Sequence, residues 1–494
     1  MTQLHDLLTQ GRPVVGSAPW PRHEVDAVAW EIAIDALARG EVTLLSVWGE
    51  VGRAHMALLG EGDPPVAVLS LDCAGGAYPS IGRLHPPAIR LERAMRDLFG
   101  LNPIGLPDTR PWLDHGRWEG ETPPAASYRF LPVEGQGLHQ IPVGPVHAGI
   151  IEPGHFRFTA DGETVVRLEQ RLGYVHKGID WLLAGAPMDR ARRIAGRISG
   201  DSTVAYSLAF SQAIEAALGL TIPTRATWLR AIMAELERIA NHLGDFGAIC
   251  NDASFSIMLA HCAVLRERVL RCSNACFGHR LMMDRIVPGG VATDLDAPRM
   301  SLIRDLLTEI GTRFPPLVAL YDSMASLQDR TVTTGFLKPE LVRQFGAGGY
   351  VGRASGRDFD ARRSPGYKPY DALSFSVPVR SDGDVNARVW IRIEEIRQSL
   401  SLLDQLLQGL PAGETLVPID PSVATGEGMA LVEAFRGDLL IWLRIVGGVV
   451  ERCHARDASW FQWPLLEAVI EGNIVADFPL CNKSFNCSYS GHDL

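Results

Sequence analysis

One amphipathic pattern runs through Arg225-Ala-Thr-Trp-Leu-Arg-Ala-Ile-Met-Ala-Glu-Leu-Glu-Arg-Ile-Ala-Asn-His-Leu-Gly-Asp-Phe-Gly247. Its apolar residues recur at intervals of three and four, which is the period of one face of an α-helix. Five further stretches are also expected to be helical: 214–220, 256–287, 298–324, 384–407 and 439–451. The sequence therefore predicts a mainly helical domain over the larger part of the chain.

The beginning of the chain has a different pattern and predicts a small α/β domain over residues 1–118. Residues 42–47 and 66–71 are apolar runs of strand length, and 87–101 has helical spacing behind a Pro-Pro start. A Gly- and Pro-containing linker is expected over 119–130, so the second domain covers 131–494. Strand-like patterns at 143–167 and 428–436 add a small β element to the helical domain. The predicted fold class is α+β.

Composition excludes several classes of function. The chain has 494 residues with a formal net charge of -10, and it shows no basic patch, so nucleic acid is not expected as a partner. Its start lacks the basic and apolar regions of a signal peptide. The most apolar stretch, 439–450, is shorter than the roughly 20 residues of a membrane-spanning helix. We therefore expect any contact with a membrane to run through partner subunits.

The eight cysteines include no C-x-x-C pair, which argues against a zinc ribbon and against a ferredoxin-type cluster in this chain. Cys272 and Cys276 share one helix face, where packing is the expected role. No G-x-G-x-x-G loop lies between a strand and a helix, so NADH binding is not predicted. Reduced thiols in a cytosolic setting explain the pattern most simply.

Several motifs occur in a fixed order along the chain. Residues 91–100, followed by Pro107-Asp108, resemble the E-R-E-x-x-D-x-F-G signature of the smaller peripheral subunit of complex I, with Ala94 departing from it. Six stretches of the second domain match a larger subunit: 144–147, 152–158, 172–178, 235–243, 284–290 and 432–438. Together they resemble the large subunit of group 4 membrane-bound hydrogenases and formate hydrogenlyase, which is homologous to the quinone-site subunit of respiratory complex I.

The resemblance locates four positions where a nickel-iron hydrogenase carries cysteine ligands. Ser199 and Ser202 stand where R-x-C-G-x-C has its two cysteines, and Ser488 and Gly491 stand at the ligand positions of D-P-C-x-x-C. A nickel-iron centre needs soft thiolates, whereas serine hydroxyls stay protonated near neutral pH and glycine has no side chain. We therefore expect no nickel-iron centre and no other metal in this chain.

The resemblance also implies that three segments, 144–155, 197–202 and 486–492, converge on one electron-acceptor cavity. We expect His155 to donate a proton or hydrogen bond there, with Glu152 and Asp201 as proton carriers whose pKa values burial would raise. The other expected wall residues are His147, Arg197, Ser199, Ser202, Tyr206, Ser488, Gly491 and His492. Purely structural roles stay open, namely a backbone bond for His155, a serine bond for Asp201 and a carboxylate partner for Arg197.

Four polar side chains of the 225–247 helix are spaced so that they lie within reach of one another: Glu237, Arg238, Asn241 and His242. A polar network in the protein core is the expected result. A relay towards membrane subunits, joined by Asp245 and Asp252, is the alternative.

The function implied by the resemblance is that of a peripheral subunit in a membrane-bound, complex I-like redox complex at the cytoplasmic face of the inner membrane. Its implied partners are an iron-sulfur small subunit, a ferredoxin-like subunit, and integral membrane antiporter-like and anchor subunits. The [4Fe-4S] clusters would lie in partners, with a quinone as the candidate acceptor and electron transfer coupled to ion translocation. However, 182–189 offers no counterpart of the quinone-contacting tyrosine. Two alternatives are a scaffold subunit with a vestigial cavity and, least supported, an active hydrogenase.

Overall fold

A computed structural model describes residues 4–116, 118, 128–147 and 151–494. Of the predicted linker 119–130, residues 119–127 lie outside the described residues. In the described part, no helix combines the length and apolar character needed to cross a lipid bilayer.

The N-terminal part forms a five-stranded sheet with the strand order β1-β3-β6-β5-β4. Its elements are α1 Leu4–Thr9, β1 Arg12–Pro13, β2 Ser17–Ala18, β3 Arg22–Val25, α2 Ala27–Ala38, β4 Thr43–Glu50, β5 Arg53–Leu59, β6 Val66–Asp72, β7 Ala77–Pro79, α3 Ile89–Phe99 and β8 Asn102–Ile104. The two predicted strands correspond to β4 and β6, and the predicted helix corresponds to α3. Gly100 ends α3 with a φ of 67°, a conformation that glycine adopts without steric cost.

Helices dominate the rest of the chain. They are α4 Ile179–Leu183, α5 Met188–Ala195, α6 Thr203–Leu218, α7 Thr224–Asp252, α8 Ser256–Phe277, α9 Ala297–Ser323, α10 Ala325–Thr331, α11 Pro339–Phe345, α12 Gly349–Arg353, α13 Val385–Gly409, α14 Ser459–Ile470, α15 Phe478–Phe485 and α16 Tyr489–Asp493. The predicted helix 225–247 forms the centre of α7. The predicted helix 256–287 is too long, because Gly278 ends α8 with a φ of 75°.

The β element of this second part is larger than predicted. It comprises β9 Leu138–Val143, β10 His155–Asp161, β11 Thr164–Arg171, β12 Ala186–Pro187, β13 Ile286–Val287, β14 Gly290–Val291, β15 Gly426–Ala434, β16 Gly437–Val446 and β17 Val449–Arg456. Strands β9 to β11 form one sheet, and a five-stranded sheet has the order β12-β17-β16-β15-β2. The predicted α+β class is confirmed.

The predicted helix 439–451 is wrong, because these residues form β16 and the start of β17 around a turn at Gly447-Gly448. Helix α6 packs against β15 and β16. The other face contacts the N-terminal sheet, where Trp442 and Leu440 lie in one cluster with Trp48. A strand that is covered on both faces becomes an uninterrupted apolar run, which by its periodicity is indistinguishable from a buried helix.

The N-terminal part is joined to the second part through the protein interior. Strand β2 pairs with β15, and Arg22 in β3 donates to both carboxylate oxygens of Glu427 in β15, at 2.6 and 2.8 Å. The division into domains 1–118 and 131–494 stays a prediction, and β2 of the first domain contributes to the large sheet of the second.

Candidate functional site

Three of the four positions that the sequence resemblance aligns with hydrogenase ligands lie together as a serine cluster, which we define as Ser199, Ser202 and Ser488. The first two lie in the turn that leads into α6, and Ser488 precedes α16. The Oγ atoms of Ser199 and Ser488 are 3.1 Å apart, and Ser488 Oγ accepts the backbone N–H of Gly491 at 2.9 Å. Two of the three segments that were expected to converge, 197–202 and 486–492, thus contact each other here.

A carboxylate and a guanidinium complete the hydrogen bonds of the serine cluster. Asp201 Oδ1 accepts from the hydroxyl of Ser199 at 2.8 Å and from that of Ser202 at 3.3 Å. Arg436 approaches the same carboxylate with two nitrogens, at 2.9 and 2.6 Å. Burial would raise the pKa of Asp201, but Arg436 outweighs it and holds this pKa below its usual value. Asp201 is therefore ionised at neutral pH, contrary to the raised pKa expected of a proton donor.

The fourth ligand position, Gly491, lies against a buried tyrosine-aspartate pair. Tyr206 donates its hydroxyl to Asp457 Oδ2 at 2.8 Å. Burial raises the pKa of Tyr206 well above its usual value, and the Asp457 carboxylate adds to this. A Cβ atom on Gly491 would lie 2.7 Å from Asp457 Oδ2 and 2.8 Å from the hydroxyl oxygen of Tyr206. These two side chains occupy the space that a ligand side chain at 491 would need.

The donor set at these positions does not fit a nickel-iron centre. The serine hydroxyls bond to a carboxylate and to each other, and thiolate sulfur, the ligand that such a centre requires, is absent from all four positions. Over the described ranges, no group of three or more His, Cys, Asp or Glu side chains could hold a metal ion.

Replacing Gly491 by alanine is expected to lower the free energy of unfolding by about 1–3 kcal/mol, the usual cost of overpacking a filled core site. Gly200→Ala is the matched control, because a Cβ on Gly200 meets no atom within 4 Å. Urea unfolding of the purified chain checks both variants. Equal stability of the two variants would show that the packing around Gly491 relaxes.

His155 lies in a separate, open cavity rather than in the serine cluster. The cavity has a volume of about 1460 Å³, and its lining includes His155, Phe130 and Arg157 but no residue of the serine cluster. His155 Nδ1 bonds to the carbonyl oxygen of Gly144 at 2.9 Å, which leaves Nε2 as the acceptor of the neutral ring. Burial lowers the pKa of His155.

The remaining predicted wall residues are spread around these two places. Glu152 is exposed, and it accepts the backbone N–H of Ser490 at 3.2 Å. His147 is half-buried in the loop after β9. Arg197 is exposed and pairs with Asp284 at 2.7 Å, which is the structural alternative named for it. His492 is buried and stacks on Trp460 at 4.1 Å between ring centroids. The structure does not bring all predicted wall residues into one cavity.

Two residues of the serine cluster's surroundings, Arg436 and Asp457, were not predicted from the sequence. Arg436 lies within the motif 432–438, so its identity was visible but its partner was not. Asp457 gave no local signal, because its contacts with Tyr206 and Gly491 join distant parts of the chain.

Of the four side chains predicted to form a polar network on α7, Arg238 and His242 join a larger network that extends to other elements. Asn241 instead donates to the backbone carbonyl oxygens of Asp201 and Glu237, at 2.7 and 2.9 Å. We use the term buried charge network for Glu235, Arg238, His242, Arg353, Asp360, Arg362, Glu395 and Glu433, which are linked by ion pairs of 2.5 to 3.6 Å. Glu237 lies outside it and accepts the backbone N–H groups of Val204 and Ala205 at 2.7 and 3.1 Å. Burial raises the pKa of Glu237 to about 8. This carboxyl group fixes the first turn of α6 next to Asp201.

Two families match parts of the chain. Residues 252–424 match the family described as "Respiratory-chain NADH dehydrogenase, 49 Kd subunit", and residues 65–129 match that of the 30 Kd subunit of the same enzyme.

Similar whole proteins come from hydrogenases and from complex I. Formate hydrogenlyase subunit 5 of Escherichia coli (strain K12) is 31% identical over 446 residues, which cover 86% of this chain and 78% of that protein. A subunit of the NADH-quinone oxidoreductase of Syntrophobacter fumaroxidans is 31% identical, covering 71% and 95%. The alpha subunit of the membrane-bound hydrogenase of Pyrococcus furiosus is 29% identical, covering 70% and 85%.

These matches confirm the family indicated by the motifs, and they extend over both parts of the chain. The protein belongs to the family that unites the large subunits of membrane-bound hydrogenases and formate hydrogenlyase with the 49 kDa subunit of complex I, here with a 30 kDa-type unit fused in front of it.

Proposed function

We propose that this chain is a peripheral-arm subunit of a membrane-bound, complex I-like redox complex, that it holds no nickel-iron centre, and that the cavity beside His155 binds the electron acceptor. Its partners are an iron-sulfur small subunit with a [4Fe-4S] cluster, a ferredoxin-like subunit, and antiporter-like and anchor subunits in the membrane. The complex lies at the cytoplasmic face of the membrane, and electron transfer drives ion movement in the membrane subunits.

The observation that supports the acceptor site is the open cavity of about 1460 Å³ at the β9–β10 hairpin. It is large enough for a small organic molecule, whose sites usually measure about 300–1,000 Å³. Within the described residues, His155 Nε2 accepts one long contact, from Arg157 Nε at 3.5 Å. A quinone that receives two electrons from a partner's cluster and two protons becomes a quinol. His155 Nε2 would then accept a hydrogen bond from the quinol hydroxyl, or carry one of the protons to the carbonyl oxygen.

His155→Ala is expected to lower quinone reduction by the purified complex about 10²-fold, the usual contribution of a positioned acid or base. The assay follows electron transfer from chemically reduced clusters to a short-chain quinone, with and without a quinone-site inhibitor. His261→Ala is the control, since His261 is exposed on α8. Unchanged, inhibitor-sensitive reduction in His155→Ala would remove His155 from the mechanism. If the unmodified complex reduces no quinone although its clusters are fully reducible, the acceptor site is refuted.

A scaffold role without its own acceptor is the second candidate, and it is favoured by the hydrogen bonds that close the serine cluster upon itself. Under this alternative, His155→Ala and Ser488→Ala leave turnover of the assembled complex unchanged. Nickel analysis of the same preparation separates both candidates from an active hydrogenase, because stoichiometric nickel would contradict both.

A further inference from the structure

The cavity beside His155 is lined by an excess of positive side chains. Among the described lining residues, the guanidinium groups belong to Arg96, Arg110, Arg129, Arg157 and Arg171, and the carboxylates belong to Asp97 and Asp114. The chain as a whole has a formal net charge of -10, so the charge of the cavity is opposite to that of the protein. A concave surface lined by one sign of charge concentrates ligands of the other sign.

Most of these guanidinium groups have no anionic partner in the part of the chain that the structure describes. Arg110 is the exception, because it pairs with Asp108 at 2.7 Å and with Glu169. Arg96 donates to the carbonyl oxygen of Thr109, a neutral group, at 2.9 Å. Arg129 forms no ion pair within the described ranges.

Arg171 and Arg157 also bond to neutral groups. Arg171 is buried, with 3% of its surface exposed, and donates to the backbone carbonyls of Pro111, Trp112 and Asp114. Burial lowers the pKa of Arg171 to about 10, although the Asp97 carboxylate acts in the opposite direction. Arg157 lies over the ring of Phe130, and its terminal nitrogen bonds to the side-chain carbonyl of Gln140 at 3.3 Å.

Both carboxylates of the described lining accept backbone N–H groups. Asp97 Oδ2 accepts the backbone N–H groups of Trp112 and Leu113 at 2.6 and 2.7 Å. Asp114 Oδ1 accepts the backbone N–H of Gly116 at 2.7 Å. Both carboxylates thus bond to the loop that follows β8, and the described lining presents five guanidinium groups against two carboxylates.

We propose that the ligand of this cavity is a small organic molecule or ion with at least two negative charges, held by Arg157, Arg129 and Arg96. The proposal goes beyond the proposed function, because it concerns an anion in this cavity whether or not a quinone is reduced there. Guanidinium groups bind carboxylates and phosphates through paired, charge-assisted hydrogen bonds, so either anionic group satisfies the chemistry. The Nε2 atom of His155 adds one hydrogen-bond acceptor beside the anion and selects ligands that also carry a hydroxyl.

Isothermal titration of the purified full chain at low ionic strength tests the proposal with two probes, inorganic pyrophosphate and tricarballylate. We expect saturable binding of at least one probe, with affinity lowered about tenfold in Arg157→Gln and in Arg129→Gln. Arg343→Gln is the matched control, because Arg343 is exposed on α11 and pairs with Glu340. Tighter binding of pyrophosphate identifies a phosphate ligand, and tighter binding of tricarballylate identifies a carboxylate ligand.

The proposal is refuted if neither probe binds, or if Arg343→Gln weakens binding as much as Arg157→Gln does. Protection of Arg157 from phenylglyoxal only in the assembled complex would assign the cavity to an acidic partner segment, which also overturns the proposal. No electron donor is present in the titration, so its result is independent of the acceptor assay. Anion binding without quinone reduction refutes the proposed function alone, and inhibitor-sensitive reduction without anion binding refutes only this inference.

Discussion

Replacing Glu395 by glutamine is expected to lower the free energy of unfolding by about 3–5 kcal/mol, the usual cost of removing one partner from a buried ion pair. Glu395 lies at the centre of the buried charge network, with 1% of its side chain exposed. One carboxylate oxygen is 2.7 Å from His242 Nε2, and the other accepts from Arg353 Nε at 3.0 Å. Burial opposes ionisation of Glu395, but Arg353 and His242 outweigh it and hold its pKa well below the usual value. The neutral amide leaves Arg353 with a buried charge that is only partly compensated.

Glu394→Gln is the control for this variant, because it changes the neighbouring residue of α13 in the same way. Glu394 pairs with Arg380 at 2.8 Å, and about a third of each side chain is exposed. An exposed pair of this kind contributes about 1 kcal/mol or less. Urea unfolding followed by circular dichroism measures both variants. A loss for Glu395→Gln that is no larger than that for Glu394→Gln would show that water or a rearranged neighbour compensates the network.

Arg22→Met is expected to have an effect of similar size, about 3–5 kcal/mol, because it leaves the Glu427 carboxylate unpaired in the interior. Arg22 approaches Glu427 at 2.6 Å, and the two side chains are 5% and 8% exposed. Methionine keeps the apolar stem of the arginine, so the change isolates the charge. Since this pair joins β3 to β15, we expect the large sheet to lose protection together with the N-terminal sheet.

Hydrogen exchange of residues 426–434 measures this coupling directly, and urea unfolding gives the total loss. Arg12→Gln is the control in the same part of the chain, because the Arg12 side chain is 81% exposed and its partner is Glu24. If exchange in 426–434 stays at the wild-type rate while the N-terminal sheet opens, the two parts of the chain unfold independently. That result would support the predicted division into two domains and would argue against a shared interior formed by β2, β3 and β15.

The sequence alone predicts elements whose apolar residues have helical spacing or form a run of strand length between turns. Helix α7 is predicted by apolar residues at intervals of three and four, and strand β6 is predicted by an apolar run of strand length between turns. The same spacing misassigns 439–451, since α6 and the N-terminal sheet cover β16 on both faces and remove the alternation. Apolar spacing does not predict the end of α8 either, because a single left-handed glycine, Gly278, ends this helix.

For the candidate site, the sequence likewise predicts the identity of the residues but not their contacts. The identities of Ser199, Ser202, Ser488 and Gly491 follow from the sequence and its motifs, and so does the absence of thiolate ligands at these positions. The pairing of Arg436 with Asp201 and that of Tyr206 with Asp457 were decided by tertiary structure. Each pair joins residues far apart in the chain, and a hydrogen bond between such residues leaves no periodic signal in either segment.

The location of His155 is likewise a product of the tertiary structure. In the sequence, His155 belongs to one of three segments expected to meet in one cavity. In the fold, it lies at the start of β10 beside Arg96 of α3, Arg110, Arg129 and Arg171 of β11. The serine cluster lies elsewhere and is bonded to Asp201, which pairs with Arg436. The local sequence therefore determined which chemical groups are present at each position. The packing of distant segments decided which groups share a cavity, because charge and hydrogen-bond complementarity act between neighbours in space.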